Sequence, residues 1–100
     1  MTTTIKQLDG KIIATLEGEM DSSAALEAEE KLKSLYQAQG KDVIIECEKL
    51  EYIASGGLRV LLGILKAAKA GGSKVVLRNV NDEIMSIFKL TGFVNIFEFE

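Results

Sequence analysis

Ser55 stands at the junction between a strand-like run and an apolar helix that opens with Gly56 and Gly57. The first turn of a helix carries unpaired backbone N–H groups and the positive end of the helix dipole, so it favours negative charge. A phosphate on the Ser55 hydroxyl would lie there, with two glycines that leave room for a partner. The pattern therefore indicates a phosphorylation site. The alternative is that Ser55 caps the helix.

Composition excludes the catalytic and metal-binding arrangements that need histidine or more than one cysteine. The sequence contains no histidine, and Cys47 is its only cysteine. Zinc clusters, disulfide frameworks, Ser-His-Asp triads and Cys-His dyads therefore cannot form within one chain. Cys47 lies in an apolar run, which is typical of a buried packing role. Glu19 and Asp21 are a possible acid–base pair, but acids at a helix start are ordinary capping residues. We expect no enzyme activity, no cofactor and no metal site.

Length and charge limit the kind of partner. The 100 residues predict one small domain over residues 1–100, and 47% hydrophobic with 27% charged residues is typical of a globular protein. The net charge of −3 argues against nucleic-acid binding. The sequence shows neither a membrane-span pattern nor a signal-peptide pattern, so we expect a cytoplasmic protein. With no exposed apolar stripe apparent, we also expect a monomer.

Strands and helices are predicted to alternate along the chain. Asp9-Gly10 is a hairpin signal between strands at 4–8 and 11–17. Helical spacing follows over 24–39, then a β-branched strand at 43–47 and a second helix that ends at Gly71-Gly72. The further elements are a strand at 74–78, a helix from Asn81 or Asp82 to Gly92, and a short closing strand.

This order predicts an α/β fold with one mixed sheet, an N-terminal hairpin, parallel central strands and three to four helices. If the strands that end near Glu17 and Cys47 are parallel neighbours, the loops after them emerge at the carboxyl edge of the sheet. Open α/β sheets usually place their functional sites at that edge. Asp21 and Ser55, far apart in sequence, would then face the same partner.

Three segments resemble the STAS domain family, and within it the stand-alone bacterial anti-sigma factor antagonists. Residues 18–21, Gly-Glu-Met-Asp, look like the family's Gly-Glu-Leu-Asp motif before the first helix. Residues 44–58 are similar to the strand and the Asp-Ser-Ser-Gly-Leu phosphorylation loop, here Ala-Ser-Gly-Gly-Leu. Residues 90–93, Leu-Thr-Gly-Phe, with Ile96-Phe97 resemble the closing Ser-Gly-Leu segment and last strand. The order of elements agrees over essentially the whole chain.

The resemblance implies regulation by partner switching. In such proteins the unphosphorylated antagonist binds an anti-sigma factor, a serine kinase of the GHKL ATPase type, and so frees a sigma factor for transcription. Phosphorylation of the loop serine by that kinase ends the association, and a PP2C-type phosphatase restores it. The resemblance places the phosphorylated serine on Ser55. It places the partner-binding surface on Asp21, Ser55, Gly56, Gly57, Leu58 and Arg59.

Asp21 and Leu58 each have a structural alternative, and Ala54 and Gly56 depart from the family's pattern. Asp21 is as well suited to helix capping as to partner contact, and Leu58 also fits a core position. Ala54 stands where the family has an acidic residue, and Gly56 replaces its second serine. The loss of the acidic residue leaves open an alternative function, as a non-phosphorylated STAS regulatory subunit of a transporter or as a small-ligand sensor.

Overall fold

An N-terminal hairpin leads into alternating helices and strands. The computed structural model describes all 100 residues except the side chain of Gln37. The strands are β1 (Thr2–Leu8), β2 (Lys11–Met20), β3 (Asp42–Glu46), β4 (Leu50–Ile53), β5 (Val75–Arg78) and β6 (Glu98–Phe99). The α-helices are α1 (Ser22–Leu32), α2 (Ser55–Ala70) and α3 (Asp82–Thr91), with 3-10 turns at Lys33–Gln37 and Phe93–Asn95. The predicted α/β fold is confirmed.

The six strands form one mixed sheet. Its strand order is β1-β2-β3-β5-β6, with β4 paired to β2 beside this path. β1 and β2 are antiparallel and turn at Asp9 and Gly10, which both have positive φ, as the hairpin signal predicted. The other neighbouring strands are parallel. A parallel sheet places the carboxyl ends of its strands along one edge, and there the helices α1 and α2 begin.

β2 pairs with two strands in succession. Its residues 11–15 pair with β3, and Gly18 to Met20 pair with β4, with a register shift between Gly18 and Glu19. The prediction that the strand ends at Glu17 was therefore wrong. Gly18 adopts a φ of +99°, which only glycine takes readily, and the extra residue at the register shift, Glu51, lies on β4, so β2 continues past Gly18 to Met20. As a result β2 runs directly into Asp21.

The first helix is shorter than its pattern predicted. The spacing over 24–39 suggested one α-helix, but α1 ends at Leu32 and continues as the 3-10 turn Lys33–Gln37. This 3-10 turn places Leu35 in the core, where it is completely buried. It also sets Tyr36 against α2, with its hydroxyl 3.0 Å from where a β-carbon would lie on Gly63. This turn therefore packs against the middle of α2.

The core lies between the sheet and the three helices. Within it Phe88 packs against Phe97 and Phe99, with ring centroids 5.9 and 5.8 Å apart. The helical spacing of α2 predicts an apolar stripe, of which Leu58, Leu61, Leu65 and Ala68 are buried and Leu62 is half-buried. The spacing of α3 predicts that Ile84, Ile87 and Phe88 face inward; Ile84 and Phe88 are buried, and Ile87 is half-buried. Of the helices in the described residues, none combines the length and the apolar character that a membrane crossing requires.

Candidate functional site

The strands β2 and β4 end side by side. Met20 pairs with Ile53, and the Ala54 N–H donates to the Met20 carbonyl oxygen at 2.9 Å. Asp21 therefore follows β2 just where Ala54 follows β4. The predicted common edge for Asp21 and Ser55 is confirmed, although β4, and not the strand that ends near Cys47, brings them together.

Asp21 caps helix α1. Its backbone is extended, with φ −75° and ψ −176°, and its Oδ1 atom accepts a hydrogen bond from the Ala24 N–H at 2.8 Å. Its carbonyl oxygen accepts from the Ala25 N–H at 2.8 Å. This is the geometry of an N-cap residue, which satisfies one of the free donors of the first turn. The side chain of Asp21 is otherwise exposed, so the cap leaves its charge accessible to a partner.

Helix α2 begins without a side-chain cap. Its N-cap residue is Ala54, which has no polar side chain, and Ser55 is the first helical residue. The alternative that Ser55 caps the helix was therefore wrong, because Ser55 lies one position beyond the cap. The first intrahelical bond joins the Leu58 N–H to the Ala54 carbonyl at 3.1 Å, which leaves the donors before it without a helical acceptor. The exposed Ser55 stands at this uncapped end.

The two glycines after Ser55 have different surroundings. A β-carbon on Gly57 would lie 2.7 Å from Ile53 Cγ1 and 3.0 Å from the Met20 side chain. A β-carbon on Gly56 would lie 3.6 Å from Ala25 Cβ and 3.9 Å from Ser22 Cα, which is ordinary contact. Gly57 is buried, so the expected open space exists only at Gly56, which is half-buried beside α1. Gly57 instead lets α2 approach the two strands closely.

Leu58 and Arg59 point to opposite environments. Leu58 is 6% exposed and belongs to the core, as its structural alternative predicted. Arg59 is exposed, one helical turn beyond Ser55. Among the described residues, neither Asp21 nor Arg59 takes part in a salt bridge. Both charges are therefore available to a partner surface.

One apolar side chain near Ser55, that of Leu26, is not among the predicted site residues. Leu26 is 71% exposed, and it lies four residues after Ser22 on the same face of α1. Ser22 adjoins Gly56, so Leu26 extends the surface around Ser55 with an apolar contact. Helical spacing could have indicated it, because Leu26 falls outside the stripe that faces the core. We call the following residues the Ser55 surface: the exposed Asp21, Ser22, Leu26, Ser55 and Arg59, and the half-buried Gly56.

Asn81 makes a second hydrogen bond in addition to the helix cap that its sequence position predicts. It starts α3 as predicted, with Oδ1 accepting from the Ile84 N–H at 2.9 Å, but its Nδ2 also donates to the Leu50 carbonyl at 2.9 Å. This second bond ties α3 to the first residue of β4, the strand that leads to Ser55. No local pattern predicts a bond between residues so distant in sequence. Asn81 therefore supports the strand as well as the helix.

An open cleft of about 490 Å³ lies beside β4, lined by Glu51, Asn81, Asp82 and Glu83. The described residues include no group of three or more acidic or cysteine side chains placed to hold a metal ion. Cys47 is buried as predicted, and burial, followed by the Glu46 carboxylate, raises the pKa of its thiol to about 12. Such a thiol stays protonated and is a poor nucleophile.

Comparison with known proteins agrees with this geometry. The model of the STAS domain matches residues 2–100. The chain belongs to the STAS family. BtrV of Bordetella bronchiseptica, named as an anti-sigma factor antagonist, is 31% identical over 97% of this chain and 84% of its own. The anti-sigma-B factor antagonist of Bacillus subtilis is 32% identical over 94% of this chain and 85% of its own.

A solved structure matches the fold of this STAS protein. The Bacillus cell fate determinant SpoIIAA in its phosphorylated form superposes with a TM-score of 0.75. The match covers 99% of this chain and 91% of SpoIIAA at 19% identity. The predicted family and fold are thus confirmed, and the named relatives support the predicted role as an anti-sigma factor antagonist.

Proposed function

We propose that this STAS protein is an anti-sigma factor antagonist that acts by partner switching. In its unphosphorylated state it binds an anti-sigma factor through the Ser55 surface, and the sigma factor is released to direct transcription. Phosphorylation at Ser55 ends the association. The observation that carries this proposal is the exposed Ser55 at the first position of α2, beside the Asp21 cap on the neighbouring strand.

The proposed partner is an anti-sigma factor that is also a serine kinase of the GHKL type, and a PP2C-type phosphatase reverses its action in the cytoplasm. The relatives named as anti-sigma factor antagonists support an anti-sigma partner, and the phosphorylated form of SpoIIAA supports phosphate as the signal. Asp21, Gly56 and Arg59 contact the partner directly. The buried Gly57 and Leu58 hold α2 in place beneath that contact.

Phosphate on Ser55 would end the association because it adds negative charge and acceptor oxygens to the contact surface. A phosphoserine adds about −1.5 to −2 charges and three strong acceptor oxygens to a contact surface. At Ser55 it would stand beside the strand end that carries the exposed Asp21, so a partner matched to the unmodified surface would meet excess negative charge. The uncapped N–H groups of α2 meanwhile favour the anion at this position. The modified chain is therefore stable but no longer complementary to its partner.

Phosphosite mapping tests this proposal. The chain is purified from its native host in several growth states with phosphatases inhibited, beside Ser55→Ala as control. We expect phosphate on Ser55 in at least one state, and weaker anti-sigma binding by that form in calorimetry. Equal binding by the two forms would refute the switch.

One observation favours a second function. Ala54 removes the carboxylate that the family's loop carries before its serine. A chain that stays unmodified in every growth state would favour a constitutive regulatory subunit of a transporter or a small-ligand sensor.

A further inference from the structure

Arg59 lies one helical turn after Ser55 on the exposed face of α2. Both side chains are exposed, and residues four apart on a helix have their β-carbons about 5–6 Å from each other. The Cα–Cβ bonds of a helix tilt towards its N-terminus, so the long side chain of Arg59 extends back over the turn that contains Ser55. The Arg59 guanidinium can therefore reach a group attached to the Ser55 hydroxyl.

No acidic side chain on α2 competes for this guanidinium. The helix contains no aspartate or glutamate, and its N-cap residue, Ala54, is apolar. Within the part of the chain that the structure describes, Arg59 takes part in no salt bridge. The charge of Arg59 is thus unpaired while Ser55 is unmodified.

One acidic side chain of α1 is directed towards α2. A β-carbon on Gly56 would lie 3.6 Å from Ala25 Cβ, and Glu29 follows Ala25 by one turn on the same face, where it is half-buried. A phosphate carries more negative charge than this carboxylate and would outcompete it for Arg59. The charged residues of the other elements that pack against α2 have other surroundings: Lys33 pairs with Glu30, Arg78 pairs with Glu46, and Glu51 lines the cleft beside α3.

We propose that Arg59 binds the phosphate on Ser55 within the same chain. This rests on the proposed function, which supplies the phosphate. A phosphoserine carries about −1.5 to −2 charges and three acceptor oxygens, and a guanidinium can donate two parallel N–H bonds to such a group. An anion four residues before a cation is also the more favourable order of charges on a helix.

This contact changes what the Ser55 surface offers to a partner. In the unmodified chain Arg59 presents a free cation, whereas in the phosphorylated chain the same guanidinium is turned towards the phosphate. Phosphorylation therefore withdraws a positive contact in addition to adding negative charge. Both changes weaken the association, and both occur on one turn of α2.

Titration of the phosphorylated chain, followed by phosphorus NMR, tests the contact. Phosphoserine is incorporated at position 55 during translation in a recoded host, so the sample does not depend on a kinase. The second pKa of phosphoserine is about 6, and a bound guanidinium lowers this pKa because it favours the dianion. The Asp21 and Glu29 carboxylates and the backbone N–H groups of α2 are present in every variant, so a difference between variants reports the substituted residue.

The variants are Arg59→Gln, Arg59→Lys and Lys66→Gln. Lys66 is the matched control, because it is an exposed cation on the same face of α2, about 16 Å along the helix from Ser55. We expect Arg59→Gln to raise the pKa of the phosphate by about 0.5 or more. Arg59→Lys should raise it less, since lysine keeps the charge but binds as a point charge, and Lys66→Gln should leave it unchanged.

The same phosphate pKa in the wild type and in Arg59→Gln would overturn the proposal and leave the proposed function intact. Equal shifts in Arg59→Gln and Lys66→Gln would overturn it too, because the effect would then come from the overall charge of the helix. The proposed function is refuted independently, by equal anti-sigma binding of the phosphorylated and unphosphorylated chains, whatever the pKa of the phosphate.

Discussion

Asp21 and Ala54 occupy the same position on two parallel strands, one residue beyond the paired Met20 and Ile53. Each is extended and is the N-cap of the following helix, but only Asp21 accepts a hydrogen bond there, from the Ala24 N–H at 2.8 Å. The helix α2 therefore begins without the side-chain cap that α1 has. This difference allows capping and partner contact to be separated by substitution.

Substitutions of Asp21 distinguish its two roles. Asp21→Asn keeps an acceptor oxygen at the N-cap, so the free energy of unfolding should stay within about 0.5 kcal/mol of the wild type. Asp21→Ala loses the cap and should cost about 1 kcal/mol, measured by urea denaturation. We expect Asp21→Asn to weaken anti-sigma binding nonetheless, because the partner contact depends on the charge. Undiminished binding by this variant would assign Asp21 to capping alone.

Ala54→Asp should supply the cap that α2 lacks. The free energy of unfolding should rise by about 0.5–1 kcal/mol, because the carboxylate accepts from the first-turn N–H groups and interacts favourably with the helix dipole. The Asp21 charge on the adjacent strand end opposes part of this gain. Ala54→Asn, which caps without charge, is therefore the matched control in thermal denaturation. A loss of stability in both variants would contradict an uncapped α2.

Leu26→Ala should affect binding without affecting folding. The side chain is 71% exposed, so its truncation should change the free energy of unfolding by no more than about 0.5 kcal/mol. As an apolar anchor of the Ser55 surface it should cost about 1 kcal/mol or more in anti-sigma binding. Leu90 is 87% exposed on α3, so Leu90→Ala is the control. If calorimetry showed the same loss of binding for Leu26→Ala and Leu90→Ala, Leu26 would not be an anchor of the Ser55 surface.

Local sequence patterns predicted the elements that hold the site, because each pattern depends on neighbouring residues. The hairpin at Asp9-Gly10, the apolar stripe of α2 and the start of α3 at Asn81 all follow from short-range spacing. The switch of β2 from pairing with β3 to pairing with β4 does not follow from short-range spacing. Gly18 resembles a strand break, and only the pairing with β4, far along the chain, keeps the residues after it extended.

The sheet edge that carries Asp21 and Ser55 was predicted, but the way in which α2 begins and packs there was not. Ser55 and Asp21 could be placed at one sheet edge, because parallel strands end together. The cap at Ala54 and the burial of Gly57 depend on how closely α2 approaches Met20 and Ile53. That distance is a property of tertiary packing, which no spacing in one segment encodes.

Cys47 should make stability depend on pH in alkaline solution. Its pKa is raised from 9.0 to about 12, first by burial and then by Glu46, so the folded state keeps a proton that the unfolded state loses. The contribution of the Cys47 thiol to the free energy of unfolding is complete below pH 9 and decreases as the pH rises towards 12. Between about pH 9 and 10 the free energy of unfolding should fall by up to about 1.4 kcal/mol per pH unit.

Urea denaturation at several pH values measures that slope, and Cys47→Ala is its control. The variant loses packing at every pH but should lack the part of the slope due to the thiol. The folded wild type should also resist thiol reagents at pH 8, because little thiolate is present. Rapid labelling of the folded chain would contradict a buried, protonated thiol.

Gly57 and Gly56 offer a matched test of how α2 is positioned. Gly57→Ala would place a β-carbon 2.7 Å from Ile53 Cγ1, so α2 must shift and the free energy of unfolding should fall by about 1–3 kcal/mol. The shift displaces Ser55, so phosphorylation in the host should also decrease. Gly56→Ala makes only ordinary contacts and should be neutral or stabilise by up to about 1 kcal/mol, through its higher helix propensity. Equal losses of stability in the two variants would contradict the close packing assigned to Gly57.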